Sequence, residues 1–231
     1  MHRRFPSTAS PSPVRVSLSV LVLTSLLGLP LTNAQVPRMI TVPALVVTEA
    51  GASPQGAVNY FVVQLETDQT GRGPTLIFNE LSTPWSGSSV GATLKEGVRQ
   101  AVRAATQALG DEGRQWRITV KNFSQNRFSD GSSASSAVAV GIMAAVRGDS
   151  LNDHVAVTGV VSASGAISRV GGLVQKLEAA AQAGMTTILV PRGQAQTAEW
   201  DLFALGHQRG LAVIEVDSLG EAYAYMTGHR P

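Results

Sequence analysis

The chain has 231 residues, 44% of them hydrophobic and 15% charged, enough for one domain with its own core. It has no cysteine, which excludes thiol nucleophiles, thiolate metal sites, disulfides and a lipidated cysteine behind a leader. The formal charge of +2 depends on Arg3, Arg4 and Arg15: without residues 1–34 the 18 basic residues fall to 15, against 16 acidic ones, about −1 net, so charge gives no nucleic-acid footprint.

Residues 1–34 read as a secretory signal peptide. Arginines precede an apolar run from Val16 to Leu29, Pro30 breaks it, and Thr32-Asn33-Ala34 supplies small residues for cleavage after Ala34. The alternative is a membrane anchor, although the run is shorter than the roughly 20 residues that a spanning helix needs. No later stretch is apolar enough to span a membrane. Residues 35–57 read as an extended segment with strand character at Ile40–Thr48, interrupted by Pro43. The domain proper is expected over 58–231.

Val58–Leu65, rich in β-branched and aromatic residues, predicts a strand, and Thr75–Phe78 predicts another. A polar loop, Ser82–Ser89, carries Trp85; like Trp116 and Trp200 it reads first as a core or interface residue, and of the three it is the one to test for substrate contact. Val90, Leu94, Val98, Val102, Ala105 and Leu109 recur at helical spacing, and Gly110 ends that helix. Trp116–Val120 predicts a strand. Asp130-Gly131 then forms a turn, a run of serines follows, and Ala137–Val146 is apolar nearly all round, as in a buried helix. His154–Ser162 predicts a strand, Gly172–Ala183 a helix and Thr186–Val190 a strand. Thr197–Gln208 predicts a helix, Leu211–Val216 the last strand and Ser218–Met226 the last helix. Strands dominate early and alternate with helices late, which argues an α/β or α+β sandwich.

The chemistry centres on the serine run. A serine at the mouth of a buried helix sits beside unpaired N–H groups and the positive end of the helix dipole, where an oxyanion is stabilised. It needs a base. His2 lies in the leader, His229 in the tail, His207 at a helix end and His154 at a strand start, so no histidine has the context of a Ser-His-Asp triad. Lys176 lies on or beside the apolar stripe formed by Leu173, Leu177 and Ala180. Held there it is desolvated, its pKa falls and it can accept a serine proton; alternatively it snorkels to solvent.

Asp130-Gly131-Ser132-Ser133-Ala134 resembles the D-G-P-S-A-G signature of the Lon protease proteolytic domain. Val155–Gly159 is similar to that family's D-V-A-M-T-G-E strand, and Val170–Ala180 to its I-G-G-L-K-E-K-L-L-A-A helix, without a gap between Ser133 and Lys176. The likeness extends through Gly184–Pro191 and, more weakly, back to Val90. Three motifs in order at matching spacing are specific in a way that each alone is not.

The resemblance implies an α+β sandwich of Lon proteolytic-domain type, ribosomal protein S5 domain 2-like. It implies Ser133 as nucleophile and Lys176 as general base, with Thr158 fixing the lysine and Asp130 supporting the turn. Gly131 and Ser132 lie where backbone N–H groups would hold the oxyanion. The chain departs from the pattern at Ser132 (proline in the family), Ser135 (glycine), Val160 (glutamate) and Asn122-Phe123. Ser132, Ser135 and Ser136 are expected to be small structural residues.

No G-x-x-x-x-G-K-[ST] loop occurs, so no ATPase module is expected, and no cofactor or metal. The expectation is an exported, periplasmic or secreted, ATP-independent serine endopeptidase acting on peptides or unfolded protein. Self-assembly into a ring is implied by the family, and nucleic acid is not an expected partner. The rival is a binding or regulatory module that keeps the fold without turnover.

Overall fold

The computed structural model describes residues 37–48, 54–80, 89–123 and 128–230. The leader, Trp85 and its loop lie outside them.

The strands are β1 (Arg38–Thr48), β2 (Gln55–Thr67), β3 (Thr75–Phe78), β4 (Ser89–Val90), β5 (Trp116–Phe123), β6 (Phe128–Ser129), β7 (Val155–Val157), β8 (Val160–Val161), β9 (Ile167–Ser168), β10 (Thr187–Pro191) and β11 (Ala212–Val216). The helices are α1 (Ala92–Leu109), α2 (Ser135–Arg147), α3 (Leu173–Gln182), α4 (Leu202–Gln208) and α5 (Leu219–Thr227), with a 3-10 turn over Ser132–Ala134. Seven strands form the main sheet in the order β11-β10-β7-β1-β2-β5-β3. Strands β1, β2 and β5 are antiparallel neighbours, whereas β7, β10 and β11 run parallel to one another.

Alternation along the strands makes two cores. Val42, Ala44, Phe61, Val63, Val157 and Leu189 face α1, α2 and α5, while Leu45, Ala156, Ile188 and Val190 face α3 and α4. The sheet therefore has helices on both faces, as expected of a mixed α/β sandwich. Helix α2 has a buried residue at every position from Ser135 to Ala145, which is why its sequence lacks a polar face.

The segment expected to be an extended lead-in is instead central. Residues 38–48 pair with β2 along their whole length, and Arg38 donates to the α2 carbonyls of Ala145 (3.2 Å) and Val146 (2.7 Å). Pro43 does not break β1. On the β7 side the pairing is confined to Ala44–Val157, so a missing N–H there loses little. The predicted strand His154–Ser162 is also divided. After β7 the chain turns away at Thr158–Gly159, and β8 pairs only with β9. Helix α4 is shorter than Thr197–Gln208 suggests, because Asp201 caps it through the N–H of Ala204.

Candidate active site

Ser133 lies in the 3-10 turn that leads into α2, and it is half-buried. The turn is fixed from outside. Asp130 Oδ1 accepts the N–H of Leu94 at 2.8 Å, and Gly91 N–H bonds the carbonyl of Ser129. Helix α1 has no cap of its own, since Gly91 stands at its N-cap, so Asp130 supplies that cap from 36 residues away. A Cβ on Gly91 would lie 2.3 Å from Asp130 Cγ, so only glycine admits the carboxylate. Burial pushes the Asp130 pKa up, but hydrogen bonds from Leu94, Gly131 and Thr93 outweigh this and hold it below the usual range.

Asp130 thus binds α1 to the nucleophile turn, and its carboxylate lies near enough to the Gly131 N–H to be stabilised by it. Gly131 gives the turn its backbone, at φ 99°. The Ser132 and Ser133 N–H groups, first in the 3-10 turn, are the donors left without a partner inside the turn.

Lys176 is 2% exposed. It lies on the buried face of α3 with Leu173, Leu177 and Ala180, so it does not snorkel. Its Nζ donates to Thr158 Oγ1 at 3.0 Å. The Thr158 hydroxyl in turn lies 3.2 Å from the Leu45 carbonyl and 3.3 Å from that of Ser133. The Ser133 carbonyl also accepts the Gly159 N–H at 2.9 Å. The amine therefore sits two hydrogen bonds from Ser133, although none links it to Ser133 Oγ. Burial pushes the Lys176 pKa down to about 8. Among the described residues no carboxylate pairs with it, so desolvation is not offset.

Ser133, Thr158 and Lys176 are thus brought together, whereas Asp130 and Gly131 serve the scaffold of the turn. Two contributors escaped the sequence reading. One is the Leu45 carbonyl, which arrives from β1 and carries no motif. The other is Ser135, read as a small residue; its hydroxyl accepts the Val161 N–H at 2.9 Å. His154, at the start of β7, is exposed with Nδ1 3.2 Å from the Gly184 carbonyl, apart from this group. A cleft of about 500 Å³ lined by Arg38, Glu66, Asp111, Arg114 and Trp116 lies toward the other end of α2, by Val146. Among the described residues no cluster of three or more His, Asp or Glu is arranged to hold a metal ion.

Residues 86–225, over half of the chain and including this group, match the Lon protease (S16) C-terminal proteolytic domain. The chain belongs to that family. It is similar to the archaeal Lon protease of Archaeoglobus fulgidus, 32% identical over 97 residues, or 42% of this chain and 15% of the relative. Lon protease of Haemophilus influenzae is 28% identical over 151 residues, 62% of this chain and 18% of the relative. Lon protease 1 of Herpetosiphon aurantiacus is 31% identical over 132 residues, 54% and 15% respectively. The chain spans less than a fifth of the length of these relatives. The Lon-type domain here is therefore the proteolytic module of a serine-type peptidase family, and no helix among its described residues is long and apolar enough to cross a membrane.

Proposed function

We propose that the protein is an exported, ATP-independent serine endopeptidase that cleaves peptides and unfolded protein segments with a Ser133–Lys176 dyad. The observation that carries this reading is the buried Lys176 amine, bonded to a threonine hydroxyl that also touches the Ser133 carbonyl. A lysine with a pKa of about 8 is neutral in a useful fraction of molecules near neutral pH. With Thr158 accepting one N–H, the amine lone pair is free to turn to Ser133.

Ser133 Oγ attacks the scissile carbonyl carbon as its proton passes to Lys176 Nζ. The carbonyl oxygen becomes an oxyanion, held by N–H groups of the Ser132–Ser133 turn at the positive end of α2. Lys176 returns the proton to the departing amine and an acyl-Ser133 ester remains. Water, deprotonated by the same amine, then attacks the ester; Ser133 leaves with the proton and the acid product is freed. Catalytic hydrogen bonds are often open without substrate, and this reading has Lys176 close onto Ser133 Oγ when substrate binds.

Export is supported by the arginine-led apolar leader, and ATP independence is read directly by the nucleotide-free assay. Assembly of several copies into a ring is part of the proposal by family likeness. The experiment is casein hydrolysis by the purified protein without nucleotide. Ser133→Ala and Lys176→Ala should each abolish it, and wild-type rates in both variants would rule out the dyad. The second reading, a binding module, is favoured by one observation: the amine faces Thr158 and not Ser133. An acylating serine probe separates the two, since labelling lost in Ser133→Ala belongs only to the enzyme.

A further inference from the structure

The Lon signature has proline and glycine where this chain has Ser132 and Ser135. Proline would hold the turn by its fixed φ, and its loss leaves the turn freer. The structure contains a replacement for that constraint. Ser135 is fully buried, and its hydroxyl accepts the Val161 N–H at 2.9 Å and lies 3.4 Å from the Gly159 carbonyl, to which it donates. The same carbonyl accepts the Ser136 N–H at 3.3 Å, and the Gly159 N–H bonds the Ser133 carbonyl. Residues 158–161 are thereby laced to the start of α2, and Thr158 begins that segment.

We propose that Ser135 is a positioning residue for the dyad: its hydroxyl pins residues 159–161 to the start of α2 and so fixes the Thr158 hydroxyl that receives the Lys176 amine. The inference rests on the peptidase reading and goes beyond it, because a glycine at this position has no hydroxyl to offer. Without the two bonds the segment loosens, Thr158 no longer holds the amine, and water reaches Lys176. Better solvation favours the charged amine, so its pKa rises toward that of an ordinary lysine.

The test is the pH–rate profile of casein hydrolysis for wild type, Ser135→Ala and Ser135→Gly. Both variants remove the hydroxyl, and glycine adds no volume should alanine disturb packing. The expected result is a kcat lower by about tenfold with KM little changed, and a rising limb displaced upward by about one pH unit. Amide exchange at Val161 should also accelerate. A limb that stays at the wild-type position overturns the proposal, as does failure of both variants to fold, which assigns Ser135 to stability alone. Ser133→Ala in the same series keeps the two readings apart. Activity that survives it removes the dyad itself, whereas an inactive Ser133→Ala with an unmoved limb in the Ser135 variants removes only the role of Ser135.

Discussion

Lys176 carries opposed demands, and their sign can be worked out. Its folded pKa, about 8, lies below the ordinary lysine value of 10.5, so the unfolded chain binds more protons between those limits. Stability therefore rises with pH through that window, and below about pH 8 the buried amine costs its full penalty, on the order of 3 kcal/mol. Lys176→Met should raise stability at pH 7 by up to that amount and abolish hydrolysis, with the gain over wild type shrinking as pH climbs from 8 to 10.5. Urea unfolding at pH 7, 9 and 10.5 reads this directly, and a gain that does not vary with pH would contradict the buried-amine account. Hydrolysis by the wild type should rise with pH to a plateau above about pH 8, where the amine is neutral. Asp130 has the same pH sense for a different reason: its pKa is held down by hydrogen bonds to the charged form, so the stability it confers is present above the unfolded carboxylate pKa and is lost as pH falls through the folded one. Asp130→Ala removes the side-chain cap on the Leu94 N–H of α1 and should cost about 1 kcal/mol or more. Thermal melts at pH 7 and pH 3 should show that difference shrinking in acid.

The elements show where pattern suffices and where it fails. Helix α1 was legible from Val90–Leu109 because one face repeats at helical spacing, and α2 because a run of small apolar residues needs a buried site on every side. Strand β1 was read only in part. Pro43 argues against a central strand, and only the confined pairing with β7 removes the objection. The division after β7 was not legible either, because Thr158 keeps its N–H on Leu189 while its hydroxyl and the Gly159 N–H turn to the Ser133 carbonyl, partners that no local pattern announces. Helix α3, which bears Lys176, is set against β2 at one point of close approach. A Cβ on Gly56 would lie 1.9 Å from the Gln175 carbonyl, so Gly56→Ala must displace α3. The expected outcome is a loss of about 2 kcal/mol or more in denaturant unfolding and a fall in hydrolysis beyond what the unfolded fraction explains. Hydrolysis at the wild-type rate by the folded variant would mean that α3 need not hold this position.

At the scale of the molecule, the sheet separates two cores, and the hydrogen-bonded chain Lys176–Thr158–Ser133 joins them. Ser133 comes from the side of α1 and α2, Lys176 from the side of α3, and Thr158, beyond the end of β7, bonds the Lys176 amine and touches the Ser133 carbonyl. On the proposed reading casein should be cleaved equally with and without ATP and magnesium, while a tightly folded substrate should resist. Stimulation of casein cleavage by ATP would contradict the ATP-independent reading. The sequence by itself determined the composition of the cores and most helices and strands, and it singled out Ser133 and Lys176 as the candidate pair, because hydrophobic period and three ordered motifs are local properties of the chain. Only the tertiary structure decided that Asp130 caps a helix 36 residues upstream, that Leu45 and Ser135 help hold the site, and that the lysine is dry. Those depend on which distant groups share a hydrogen bond and on how fully water is displaced, and both arise only when the two cores close on the sheet.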